Sequence, residues 1–198
     1  KRIKTAEQRR LKLHPERKSF RLCNSESDFL PGLIVDRYGD KYSLQIFSKG
    51  MEMFKDDVCD ILKELGATAI AEKNDNELRT LEGLDKREGI MYGSESTAEV
   101  EIDSIRYNID LLKGQKTGFY LDQAFNRLKI RNYVSENSKM LDLFCNEGGF
   151  SLNAAFAGCK DITGIDSSEH SVLTAEKNAA SNGFGSIKFE CSDVFDYF

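Results

Sequence analysis

The chain has 198 residues, of which 40% are hydrophobic and 31% charged, and its net charge is −5. That composition is ordinary for one large or two small folded domains, and the acidic balance excludes a chain that holds nucleic acid by bulk charge alone. No stretch approaches the ~20 apolar residues that span a bilayer, and no apolar leader follows the N-terminus, so the expectation is a cytoplasmic protein with no membrane partner.

Residues 1–19 are basic and polar with weak helical character. Residues 1–21 carry nine Lys and Arg against Glu7 and Glu16, a net +7 that leaves −12 for the rest. Such a segment can contact phosphates, and it reads equally as a solvated helix or linker. A hairpin pattern follows: the apolar run Leu33-Ile34-Val35, the turn Gly39-Asp40, then Tyr42, Leu44 and Ile46 alternating with polar neighbours. Phe54, Val58, Ile61, Leu62 and Leu65 share one face of a helix, and Gly66 sits where a glycine would end it. Thr68 to Glu72 reads as a strand, and residues 73–97 as a charged, glycine-punctuated stretch. This gives a central α+β domain over 20–97.

A second hairpin is expected over 98–112, turning at Asp103-Ser104 and closing at Gly114, and it opens a second domain over 98–198. Phe125, Leu128 and Tyr133 mark a helix. Then comes a β-α-β-α-β run: strand 139–144, helix 149–157, strand 161–166, helix 169–181 and strand 186–191. Strands alternating with helices of this length imply right-handed crossovers and a parallel sheet. The fold class is therefore α/β, the first three strands of a Rossmann-like sheet, preceded by a smaller α+β domain. Cysteines 23, 59, 145, 159 and 191 form no C-x-x-C pair and lie near no histidine, so they read as reduced packing thiols, with no metal site.

The chemistry concentrates at the strand ends. The first βα turn reads Leu143-Phe144-Cys145-Asn146-Glu147-Gly148-Gly149. A ligand lying over the carboxyl end of a strand needs residues without Cβ where it touches the turn. Cys145 and Glu147 stand where a dinucleotide fingerprint has glycines, and Glu147 puts negative charge where a diphosphate would sit. A cationic sulfonium tolerates that charge better. The second strand ends at Asp166, which can accept both hydroxyls of a ribose, and Ser167 follows as a candidate helix cap. The third ends at Asp193, which can accept from an adenine amino group, with Val194 or Phe195 on the ring. Each acid alone reads as a turn or cap residue. Together, at three successive strand ends, they describe one nucleoside site.

Three stretches carry a narrower resemblance: Leu30-Pro31-Gly32-Leu33-Ile34-Val35-Asp36-Arg37-Tyr38-Gly39, then Arg87-Glu88-Gly89, then Lys116-Thr117-Gly118-Phe119-Tyr120-Leu121-Asp122-Gln123. With the strand-end motifs, they make the chain similar to class I methyltransferases. Within these it resembles the bacterial large-ribosomal-subunit RNA cytosine-C5 methyltransferases that carry an N-terminal PUA domain. The resemblance implies S-adenosylmethionine as cofactor and ribosomal RNA as partner. It implies cofactor contacts from Phe144, Cys145, Asn146, Gly148, Gly149, Asp166, Ser167, Asp193 and Val194, and places Lys116, Tyr120 and Gln123 near the methionine moiety or the target base. Residues 1–19 become the linker from a PUA domain.

The family's chemistry resembles covalent catalysis: a thiolate adds to C6 of the flipped cytosine, C5 attacks the sulfonium methyl, and a base takes the C5 proton. Those catalytic residues are expected beyond Phe198, and Cys145, on the cofactor turn, is not expected to be the nucleophile. The chain begins Lys-Arg-Ile-Lys and stops at Asp-Tyr-Phe just past a strand, so both ends read as cuts. The chain by itself is accordingly expected to be inactive and to bind the cofactor weakly or not at all. Its fourth-strand edge would stay unpaired, which invites a second copy or a swapped dimer. Other readings stay open: a methyltransferase for another RNA base, tRNA or a small molecule, a non-catalytic RNA-binding relative and, most remote, a dinucleotide oxidoreductase.

Overall fold

A computed structural model describes residues 1–197. They form two compact units, one of Lys1–Val100 with Ile109–Leu121, the other of Glu101–Asn108 with the residues from Asp122 on. The boundary is not one cut near residue 97. A hairpin of β6 (Thr97–Ile102) and β7 (Ile105–Asp110) is shared, its tip going with the second unit. Asp103 and Ser104 turn it with φ of +52° and +67°, the paired positive angles that suit a two-residue hairpin turn.

The first unit is a five-stranded mixed sheet in the order β1 (Ser19–Asn24), β2 (Leu33–Tyr38), β3 (Lys41–Ile46), β4 (Ala69–Asn74), β5 (Arg87–Tyr92). Only β3 and β4 pair in parallel, because α2 (Lys49–Glu52) and α3 (Lys55–Glu64) cross between them. Gly66, at φ +90°, follows α3 where the sequence places its end. The lead segment forms α1 (Arg2–Leu13), and it is more than a linker: Ile3 and Ala6 are buried in the sheet's core with Leu22, Val35, Leu44 and Leu62. Much of its charge is paired as well. Arg10 meets both oxygens of Asp28 at 2.5 Å, Arg37 meets Glu7 at 3.0 Å, and Lys4 meets Glu64 at 2.5 Å.

Three elements escape the sequence pattern. β1 carries a bulge between Arg21 and Cys23, which puts Leu22 and Cys23 both in the core and breaks the period of two. The short α4 (Glu77–Leu81) and the half-exposed β5 fall in the stretch that reads as turns.

The second unit holds α5 (Ala124–Ile130) and the alternating run β8 (Lys139–Leu143), α6 (Gly149–Phe156), β9 (Asp161–Asp166), α7 (Glu169–Ser181) and β10 (Lys188–Cys191). Tyr133 lies beyond the helix expected to contain it. The sheet order is β10-β9-β8, all parallel, so among the described residues one edge of β8 has no strand beside it. The hairpin tip joins this unit through α7. Asn178 accepts from the Asn108 amide at 2.8 Å, and Asn182 both accepts from the Arg106 amide at 2.9 Å and donates to its carbonyl at 2.7 Å. Two side chains one helical turn apart thus satisfy a strand's backbone. Among the described residues no helix is long and apolar enough to cross a membrane.

Candidate nucleoside site

The strand ends of the second unit build the site. After β8 the chain reverses through Phe144 (φ +59°), Asn146 (φ +48°) and Gly148 (φ +79°), an unusual density of left-handed residues. The turn is pinned from three sides. The Cys145 amide donates to the Ile165 carbonyl at 2.9 Å, extending the β8–β9 ladder by one residue. The Asn146 amide donates to Asp166 at 2.9 Å, and Asn178 donates to the Glu147 carbonyl at 3.2 Å. Asn178, which no sequence signal singles out, therefore ties this turn to the hairpin tip.

The glycines answer first to the protein itself. A Cβ on Gly148 would meet the Phe189 ring at 3.0 Å and Ala175 at 3.2 Å, and one on Gly149 would meet the Arg127 side chain at 2.9 Å. A Cβ on Gly164, in the middle of β9, would reach Phe189 at 2.7 Å. The Phe189 ring of β10 thus occupies the space a Cβ would need at both Gly148 and Gly164, and Gly148 is also held at a positive φ. The approach of a ligand, which motivates the glycine pair in the sequence, is a second use of the same backbone.

Asp166 organises the centre. It is 8% exposed, one oxygen accepts the Asn146 amide, and the other accepts the Ser168 amide at 2.9 Å. It so joins the ends of β8 and β9. A carboxylate oxygen has two lone pairs, which leaves each able to accept once more from adjacent hydroxyls. The cap of α7 is Ser168, whose hydroxyl accepts from the Ser171 amide at 3.3 Å; Ser167, expected there, is exposed one residue earlier at the strand end. Asp193 is exposed past β10 and accepts from the Phe195 amide at 2.8 Å. Val194 is buried, while Phe195 is 85% exposed.

Two further groups tune the turn. Asp142, buried in β8, accepts from both the amide (3.1 Å) and hydroxyl (2.7 Å) of Ser151. Burial pushes its carboxyl above the usual range, against the pull of those bonds. This acid went unread in the sequence; its signal is a lone carboxylate inside an apolar strand. Burial, and then the charges of Asp142 and Asp166, push the Cys145 thiol well up, which keeps it protonated and makes it a packing residue.

The strand-end residues from Phe144 to Val194 thus come together in one unit, with the Phe144 ring 65% exposed at the mouth. Gln123, also in this unit, accepts from Asn126 at 2.9 Å just ahead of α5. Lys116 and Tyr120 belong to the first unit, where the Lys116 ammonium lies 4.3 Å over the Tyr120 ring.

Residues 134–198 match the family model described as "Methyltransferase domain". The chain is 38% identical over 182 residues to ribosomal RNA large subunit methyltransferase I of Aeromonas hydrophila, covering 89% of this chain and 46% of that protein. It is 37% identical over 181 residues to the protein of the same name from Pseudoalteromonas translucida, with the same coverage of 89% and 46%. The chain thus spans about half the length of the curated relatives it matches. Among solved structures, SMU.776, described as a methyltransferase complexed with SAH, superposes with a TM-score of 0.82 at 23% identity, over 99% of this chain and 51% of that one. The α/β fold is thus that of methyltransferases, and the C-terminal third of the chain carries a methyltransferase domain.

Proposed function

We propose that the protein is an S-adenosylmethionine-dependent methyltransferase acting on large-subunit ribosomal RNA, with a cytosine C5 as its acceptor, and that this chain supplies its cofactor site. The observation that carries the cofactor is Asp166: a nearly buried carboxylate that locks two strand-end turns and keeps one acceptor position on each oxygen. The ribosomal RNA substrate rests on the names of the curated relatives. Cytosine C5 rests on the resemblance of the Leu30–Gly39 and Lys116–Gln123 stretches. The three parallel strands read as the opening half of a Rossmann-like sheet.

The residues present fit the cofactor. Asp166 would take the ribose hydroxyls, Asp193 the adenine amino group, and the side of Val194 the ring. Asn146, Gly148 and Gly149 would pass beneath the methionine moiety, with Phe144 covering the mouth and Cys145 and Ser167 at its floor and rim. Gln123, in the same unit, would lie toward the methionine tail or the target base. When bound, the cofactor supplies an electrophilic methyl on a sulfonium. The protein's part is orientation: the turn is held by backbone bonds to Asp166, Ile165 and Asn178, so little reorganisation accompanies binding. Asp142 keeps that turn's helix in place through Ser151.

The test is genetic. Asp166→Ala is introduced into the gene of the source organism, and its large-subunit RNA is digested to nucleosides for mass spectrometry. One 5-methylcytidine is expected to disappear. Loss of a different methylated nucleoside would move the acceptor to another base, and an unchanged RNA would contradict the ribosomal reading.

A further inference from the structure

The first unit contains a cavity of about 620 Å3 under the loop of residues 113–120, within the ~300–1,000 Å3 of sites that enclose small ligands. Its lining is basic in a chain whose net charge is −5: Arg21, Lys73, Lys113 and Lys116 face it, against the single acid Asp75. Phe47 and Tyr120 supply aromatic surface. We propose that this cavity takes one nucleotide of single-stranded RNA, the phosphate among the lysines and the base against the Phe47 side. The proposal rests on the RNA reading above and names a substrate contact of the same enzyme.

The loop over the cavity is held in place by buried polar groups. Lys73, only 6% exposed, donates its ammonium to the Gly114 carbonyl. Asp36, fully buried, accepts the Thr117 hydroxyl and both guanidinium arms of Arg21 at 2.9 Å. The Tyr38 hydroxyl accepts the Phe119 amide at 3.1 Å. Burying a carboxylate and an ammonium is costly unless each is bonded. Here both are bonded, to the loop, and one also to the arginine at the cavity wall. The Asp36-Arg37-Tyr38 and Lys116-Thr117-Gly118-Phe119 stretches are therefore one device, which presents the exposed Lys113 and Lys116 over a polar hollow. Cations beside an aromatic wall suit a phosphate with an unstacked base. A duplex, whose bases are stacked inside, cannot enter a hollow of this size.

The experiment measures fluorescence anisotropy of a short fluorescein-labelled single-stranded RNA and of its duplex, with the wild-type chain, Lys113→Ala and Phe47→Ala. S-adenosylhomocysteine binding, followed by NMR, is the control. Lys113→Ala is expected to weaken single-strand binding severalfold and to flatten the dependence of log K on log salt by about 0.7. Phe47→Ala is expected to weaken it at least about fivefold, the scale of losing one base-stacking ring. Neither should change S-adenosylhomocysteine binding. Lys113 is exposed, so its variant carries the test even if Phe47→Ala perturbs folding. Single-strand binding that ignores Lys113→Ala, or duplex binding that falls equally, overturns the cavity while leaving the RNA reading intact. A wild-type chain that binds S-adenosylhomocysteine but no RNA sinks both.

Discussion

Both units bury charge, but they use it differently. In the first unit it ties segments together. Asp36 and Arg79 are within 1% of full burial, and Glu72 and Lys73 are 7% and 6% exposed. Each is bonded inside the unit: Asp36 to Arg21, Arg79 to Glu52 at 2.7 Å and the Ile46 carbonyl at 2.8 Å, Glu72 to Lys55, Lys73 to Gly114. The second unit also buries Asp142, Glu147 and Arg127, at 8%, 2% and 3% exposed, and it sets Asp166 and Asp193 at the ends of parallel strands, where they bond local backbone. Charge in the first unit holds segments together; in the second, Asp142 does the same, while the proposed cofactor acids Asp166 and Asp193 stand at strand ends.

That contrast breaks most visibly at Asp36. Asp36→Ala removes the acceptor of three bonds and leaves the buried Thr117 hydroxyl only its contact with the Tyr38 hydroxyl at 3.3 Å, so a loss of about 3–5 kcal/mol is expected in urea melts followed by circular dichroism. A loss under ~1 kcal/mol would mean that the buried network is not structural. Glu52 should show the same logic with a pH signature. Its bond from Arg79 holds its carboxyl below the usual 4.5. The stabilisation is therefore complete above that value and fades as pH falls through the lowered one. Glu52→Gln should cost about 1.5–3 kcal/mol at neutral pH, and the gap in Tm from wild type should close in acid. A gap independent of pH would refute the ion pair.

In the second unit, Gly164→Ala should cost about 1–3 kcal/mol by pushing on Phe189. Shortening that ring with Phe189→Leu should recover part of the loss, a coupling that a double-mutant cycle reads directly. Strictly additive losses would show that the glycine is not there for the ring. The smallest effect on stability is expected at Asp193. Asp193→Ala should stay within ~0.5 kcal/mol, as for an exposed turn residue, yet weaken cofactor binding. A large loss of stability would place Asp193 with the structural acids of the first unit.

The same contrast governs what the sequence reveals. In the second unit, β9 and α7 fall on the residues that periodicity marks, because strand and helix alternate there and each turn carries glycine or a capping residue. The strand-end acids are legible for the same reason. The first unit hides more. The bulge of β1 defeats a period of two, and α4 is too short to show a helical face. No local pattern announces that Lys73 bonds a carbonyl 41 residues away or that Asp36 bonds a hydroxyl 81 residues away. The roles of Asn178 and Asn182 are equally invisible, since they depend on a strand some 70 residues earlier in the chain. Glycine is the instructive middle case. Gly148 stands out in the sequence and Gly164 does not, yet a Cβ on either would run into Phe189.

The most direct measurement is a titration of the 15N-labelled chain with S-adenosylhomocysteine, followed by amide chemical shifts, which registers weak as well as tight binding. The shifts are expected to concentrate at the ends of β8, β9 and β10: at Asn146, Gly148, Gly149, Ser167, Ser168 and Val194. Asp166→Ala should abolish them. Shifts that cluster away from these strand ends, or the same shifts in the Asp166→Ala protein, would contradict it.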